Sequence, residues 1–271
     1  MPDLATLAPM IATLMAVGAV AGVLAGLLGV GGGIVLVPAF FWLFSAMGYG
    51  SDHVMQVCLA TSLATIVVTS ARSVAAHHRK GAVLWPILRG YAPGIALGAL
   101  VGVVVVAGLS TRTLQAIFGG LAFLIALYMA FGRADWRLGN QMPGGAARWS
   151  FAPLIGFLSV LMGIGGGSFA VPLMTLYGTP IHRAVATAAG FGIAIAAPAV
   201  AAFLFVPVAA APPFTLGAVN IPAFLIVISM TLITAPWGAA LAHRLDPKPL
   251  KRIFALFLAV VALNMLRKAL L

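Results

Sequence analysis

Acid is scarce in this chain. Its 271 residues include no Glu and four acids in all, Asp3, Asp52, Asp135 and Asp246. Each falls in a predicted loop or near the N-terminus, so no carboxylate is expected inside a helical run. That removes candidates for paired-carboxylate catalysis and for a cation site built on opposite charge. One cysteine, Cys58, excludes an internal disulfide framework and a CxxC metal or redox site. Within an apolar stretch, its expected role is packing. No Lys or Arg precedes Arg72. A signal peptide needs a basic first region, so the first helix is expected to be retained.

Charged residues make up only 7% of the chain and hydrophobic ones 63%, with a mean hydropathy of +1.15. A soluble domain is excluded. Apolar runs of about 20 residues recur along the length, as membrane-spanning helices require. The net charge of +11 could suggest a nucleic-acid partner. The basic residues, however, cluster at helix ends, the pattern of cytoplasmic anchoring. The expected partners are the lipid bilayer and a small substrate, with no nucleic acid. A homodimer is left open.

Glycine is abundant, and its placement organises the chain. Gly29-Val30-Gly31-Gly32-Gly33 is followed by Val37-Pro38, and Gly163-Ile164-Gly165-Gly166-Gly167 by Val171-Pro172. One copy falls in each half, with apolar helical sequence on both sides. Each glycine costs about 1 kcal/mol relative to alanine inside a helix, so the clusters are predicted helix breaks. The helix that restarts after each break offers unpaired N–H groups and a partial positive charge. In a membrane, a break is tolerated only where protein or a water-filled cavity surrounds it. Two readings stand: close helix packing through small residues, or a paired binding site.

The expected fold is all-α, with five helical elements in each half. The first half reads as about 9–28, 34–47, 54–76, 82–107 and 111–131. The second reads as about 149–162, 169–177, 181–206, 217–242 and 249–270. The domain layout is a first repeat over 1–132, a linker over 133–148 and a second repeat over 149–271. Beyond the glycines the halves align at a constant offset. Gly81-Ala82-Val83 matches Gly217-Ala218-Val219, Pro86 matches Pro222, Gly102 matches Gly238, and Ile117-Phe118 matches Ile253-Phe254. Ala60-Thr61 matches Ala186-Thr187 at a shorter offset, because a longer loop precedes it.

Charge then orients the halves. Arg72, His77, His78, Arg79 and Lys80 mark one loop as cytoplasmic, while its counterpart over 207–216 carries no charge. Conversely, Arg244, Lys248, Lys251 and Arg252 face a first-half loop with only Arg112. The halves are therefore predicted to be inverted repeats, with the linker cytoplasmic and both termini outside. The elements beside the second cluster, about 14 and 9 residues at 1.5 Å each, are too short to cross a core of about 30 Å. Each cluster is thus read as a glycine-tipped hairpin or broken helix reaching the midplane, giving about eight to ten spans in all.

Two such tips make an anion-favouring site without a charged side chain. The candidate substrate-binding residues are Gly31, Gly32, Gly33, Gly165, Gly166, Gly167 and Ser168, with the hydroxyls Thr61, Ser62 and Thr187. Each hydroxyl could instead bond its own helix backbone. Gln56 is a weaker candidate. Arg89, about eight residues into the fourth element, is either a ligand group within the membrane or a snorkelling side chain. His77, His78, His182 and His243 sit at loop ends with no H-x-x-x-H pair, so no metal site is expected. No cofactor is expected, and no catalytic residue.

The paired glycine clusters with their Val-Pro sequels, Ala60-Thr61-Ser62 and the Gly-Ala-Val after the basic loop resemble the TauE/SafE family of sulfite exporters. The likeness covers nearly the whole chain. It implies an inner-membrane anion transporter exporting sulfite, sulfoacetate or other small organosulfonates, in a family often counted at seven or eight spans. Ala186-Thr187-Ala188 lacks the serine found at Ser62, so that hydroxyl has no symmetric mate. The competing readings are a transporter of another small ion (a metal or an organic anion) and a non-catalytic membrane assembly factor.

Overall fold

The computed structural model describes residues 4–28, 32–132, 136–242 and 247–270. Ten helices succeed one another among them: α1 (Leu4–Leu28), α2 (Gly33–Ala46), α3 (Val54–Arg79), α4 (Trp85–Gly108), α5 (Thr111–Phe131), α6 (Gly145–Leu161), α7 (Gly167–Leu176), α8 (Ile181–Phe203), α9 (Ile221–Ala242) and α10 (Pro247–Leu270). One two-stranded hairpin, β1 (Thr215–Leu216) with β2 (Val219–Asn220), precedes α9. The fold is all-α and polytopic. Among the described residues, five helices are long and apolar enough to span a membrane: α3, α4, α5, α8 and the 18 residues Ile221–Gly238 of α9. Pro9–Ala25, Gly33–Ala46, Gly145–Leu161 and Gly167–Leu176 are apolar but shorter.

Several boundaries shift from the sequence expectation by about three to five residues, namely the starts of α1, α4, α6 and α9 and the ends of α3 and α8. α9 starts at Ile221, not Gly217, because Gly217 turns the β-hairpin at φ +57°. There it lies tight against the carbonyls of Phe203 and Leu204, where a side chain has no room. α6 starts at Gly145, earlier than Trp149, so the last residues of the expected linker are helical.

The packing partners repeat when the two sets of helices are exchanged. α1 lies on α9 as α6 lies on α4; α2 lies on α3 as α7 lies on α8; α3 touches α9 as α8 touches α4. The remaining large contacts, α3 with α8 and α5 with α10, map onto themselves. α3 stands at the centre, with every residue from 54 to 66 buried. A helix buried on all sides needs no polar face.

Lipid tails are as apolar as Leu, so close packing rather than water exclusion holds such helices together. Small residues set the approach. Gly98 lies against Pro153 O and Gly156 against Ile95 O, locking α4 to α6, with space for hydrogen only. In the equivalent α1–α9 pair, a β-carbon on Gly18 would stand 3.0 Å from Val227 Cα, and Gly238 sits on Val23 O. Thr231 Oγ1 adds a weak bond to Gly18 O at 3.3 Å.

Gly156→Leu is expected to abolish the folded, monodisperse protein in detergent. Gly120, where a β-carbon meets nothing within 4 Å, provides the contrast. Gly120→Ala should be neutral or stabilising by up to about 1 kcal/mol, the helix-propensity difference. Size-exclusion profiles and thermal unfolding of the two variants check both outcomes.

Candidate functional site

The described parts of both glycine clusters are helix breaks. α2 starts at Gly33 behind Gly32, whose left-handed φ of +71° favours glycine. Gly31, with Gly29, lies outside the described residues. α6 ends at Leu161, after which Gly163 N–H donates to Val160 O and Ile164 N–H to Ser159 O. Gly163 turns the chain at φ +61°, and α7 begins at Gly167. From there α6 runs along α4 while α7 lies on α8.

The two breaks touch each other. A β-carbon on Gly33 would stand 2.5 Å from Gly163 O and 3.0 Å from Ile164 Cα. Ser62 Oγ, on α3, donates to the same Gly163 O at 2.7 Å in a buried bond. Gly163 itself is closed in by Val37 and Leu59, and Gly166 by Phe191 and the Ala188 carbonyl on α8. Residues 32–34 and 161–168 are all buried. The first break therefore rests on the second, with α3 and α8 around them.

Donors converge on this junction. In α7 the Ala170 N–H is the one that closes on Gly166 O; the N–H groups of Gly167, Ser168 and Phe169 have no carbonyl four residues back within the helix. In α2, Val35 and Leu36 both bond Gly32 O, leaving Gly33 and Ile34 in the same position. Ser168 is 6% exposed, and its Oγ is buried without a hydrogen-bond partner. Ser159, fully buried one turn before Gly163, has an equally unpartnered Oγ. Two orphan hydroxyls thus bracket the second break. A buried hydroxyl left unbonded costs about 1–3 kcal/mol, so these positions call for an explanation. The buried polar residues among those described are Gln, Asn, Ser and Thr, with no charge. Such a set can bind an ion by dipoles alone.

The structure places the other candidates in supporting positions. Thr61 Oγ1 accepts from Asn220 N–H at 3.0 Å, and Thr187 Oγ1 accepts from Leu84 N–H at 2.9 Å. Asn220 and Leu84 are equivalent in the sequence alignment of the halves, so one clamp is made twice, each fixing the entry to a long helix. Thr187 also donates to Arg183 O in its own helix. Gln56 Nε2 donates to Leu109 O at 2.6 Å and ties the start of α3 to the end of α4. Arg89 stands apart from the junction: its side chain is exposed, with the guanidinium carbon 5.5 Å from the Trp85 ring centroid. Depth along the helix singled it out, but depth does not tell which face of α4 it occupies.

Sequence reasoning missed Ser159 and Asn220. Ser159 carried a signal, a hydroxyl one turn ahead of a glycine break. Asn220 carried none, since its counterpart is Leu84. It caps α9 through Oδ1 to Ala223 N–H and holds the β-hairpin through Nδ2 to Pro213 O.

Broken helices meeting in the interior of an apolar helical bundle are the architecture of a multi-pass membrane transporter. The chain belongs to the TauE/SafE family: the family described as sulfite exporter TauE/SafE matches residues 14–265. It is 33% identical to a probable membrane transporter protein of Haemophilus influenzae over 93% of this chain and 96% of that one. A probable membrane transporter protein of Methanocaldococcus jannaschii is 25% identical over 93% and 94% of the two chains. The probable membrane transporter protein YunE of Bacillus subtilis is 30% identical over 64% and 71%. No solved structure matches the chain.

Ser62→Ala removes the bond that holds the second break and leaves Gly163 O short of a donor. It should lower stability by about 1 kcal/mol, the usual worth of such a bond. Ser62→Thr, which keeps a hydroxyl, should lose less. Thermal unfolding in a fixed detergent would read the difference, and equal losses in the two variants would mean that the Ser62 bond carries no weight.

Proposed function

We propose that this protein exports a small sulfur-containing anion, of the sulfite, sulfoacetate or organosulfonate type, across the inner membrane. The anion binds where the breaks meet, between Gly31–Gly33 and Gly165–Gly167, with Ser168 as a direct hydrogen-bond donor. Ser62, Thr61 and Thr187 hold the backbone around it. The observation that carries this reading is the buried, unpartnered Ser168 hydroxyl in the first turn of α7, beside a second break that touches the first. Helix N-termini and hydroxyls stabilise negative charge without a permanent cation, and a site without a fixed positive charge releases the anion readily. The substrate class itself rests on the family's description and the resemblance of motifs.

The two halves are inverted repeats in this reading. The linker and the end of the α5/α10 pair that carries Arg252 face the cytoplasm, and both termini face outward. Rocking one half against the other would expose the junction alternately. The inside-negative potential favours outward movement by about 2.3 kcal/mol per negative charge per 100 mV, so export needs no buried carboxylate to couple it. A metal-ion reading is disfavoured by the neutral set of buried polar side chains among the described residues.

The test is anion flux in proteoliposomes with sulfite, sulfoacetate, thiosulfate and sulfate, against empty liposomes. Ser168→Ala should cut flux of the transported anion about tenfold, the loss of one hydrogen bond to a charged group. Gly33→Ala, which drives a methyl group towards Gly163 O, should cut it at least as far while the protein remains folded. Flux unaffected by both changes would remove the site. Flux of metal cations instead of anions would remove the substrate class.

A further inference from the structure

α5 and α10 pack against each other along their lengths, yet the two ends of the pair differ. At one end Leu266 fills the interface, its Cγ 2.7 Å from where a β-carbon on Gly119 would lie. At the other end the equivalent positions are Ala130, in place of Leu266, and Ala255, in place of Gly119. Leucine there is replaced by a methyl group, and a cavity of about 260 Å³ opens. Phe123, Ala126, Leu127, Ala130 and Phe131 line it from α5, and Ala255, Leu256 and Ala259 from α10. Leu127, Phe131 and Leu256 are 39%, 73% and 68% exposed, so the groove opens outward rather than towards the glycine junction.

Among the described residues, a cation marks the mouth. Arg252 lines the groove and its side chain is exposed; the equivalent residue at the closed end is Ala116. In sequence α10 opens with Lys248, Lys251 and Arg252, against the one nearby acid, Asp246. An apolar channel roofed by exposed leucine and phenylalanine, with a cationic end, has the polarity of one molecule: a lipid with a negative headgroup.

We propose that this groove binds an anionic phospholipid, its phosphodiester on Arg252 and one acyl chain along Ala130, Ala126 and Ala259. Basic pockets between membrane helices on the cytoplasmic side are suited to such headgroups. The bound lipid replaces the leucine that closes the other end and splints α5 to α10, the pair that joins the two halves last in the chain.

Protein purified in neutral detergent is titrated with phosphatidylglycerol, with phosphatidylcholine of the same acyl chains, and with inorganic phosphate. Binding is read by native mass spectrometry and by thermal unfolding. Phosphatidylglycerol is expected to remain bound and to raise the unfolding temperature, and inorganic phosphate to do neither. Arg252→Gln should weaken the preference for phosphatidylglycerol about fivefold, one cation's share of attraction to an anionic lipid. Ala130→Leu, which copies the closed end, should remove binding of both lipids without unfolding the chain. Equal binding of the two lipids by the native protein would overturn the proposal, as would full retention of phosphatidylglycerol in either variant. Efficient cross-linking of two chains through Leu256→Cys, in a Cys58→Ser background, would also overturn it, by making the groove an interface between copies.

Discussion

A polypeptide inside a bilayer must satisfy its own backbone, because the hydrocarbon offers no hydrogen-bond partner. Everything else in this fold follows from how two interruptions of helix meet that demand. The glycine breaks expose carbonyls and N–H groups at depth, and the chain answers by setting one break on the other. Gly33 touches Gly163 and Ile164, and Ser62 donates to Gly163 O. Surrounding the junction takes two central helices, which is why α3 is buried throughout residues 54–66 and α8 packs against it. The outer helices then need approach only through small residues, as Gly98, Gly156, Gly18 and Gly238 show.

In the proposed reading, the same junction holds the substrate. Among the described residues the buried polar side chains carry no charge, which leaves dipoles as the means of holding an ion. Dipoles come from helix starts and hydroxyls, and both are concentrated at the breaks. Most of the buried hydroxyls are committed: Thr61 and Thr187 accept from backbone N–H groups at the entries to α9 and α4, and Ser62 serves Gly163. Ser168 and Ser159 are uncommitted and flank the second break. The division between hydroxyls that build the scaffold and those left unbonded is a division of bonding capacity, since one oxygen donates a single proton.

Near-symmetry also localises what is particular to this chain. The two clamps by Thr61 and Thr187 are the same bond made twice, whereas Ser62 has Ala188 in its place. Leu266 seals one end of the α5/α10 interface, and Ala130 leaves the other open.

Helical class, the number and order of elements, the two breaks and the membrane environment were all legible in the sequence. They depend on local quantities, namely hydropathy over one helix length and the conformational cost of consecutive glycines, and these act the same way wherever the segment ends up. The family was legible too, through motifs that lie close together in the chain. Contact between Gly33 and Gly163, the partner of each threonine, the outward face of Arg89 and the groove beside Ala130 were decided only by the tertiary structure. Each depends on which side of a helix meets which neighbour across a hundred residues or more, and in an apolar chain nearly every face looks alike. Where every side of a helix is hydrophobic, sequence periodicity carries no direction, and packing shape makes the choice.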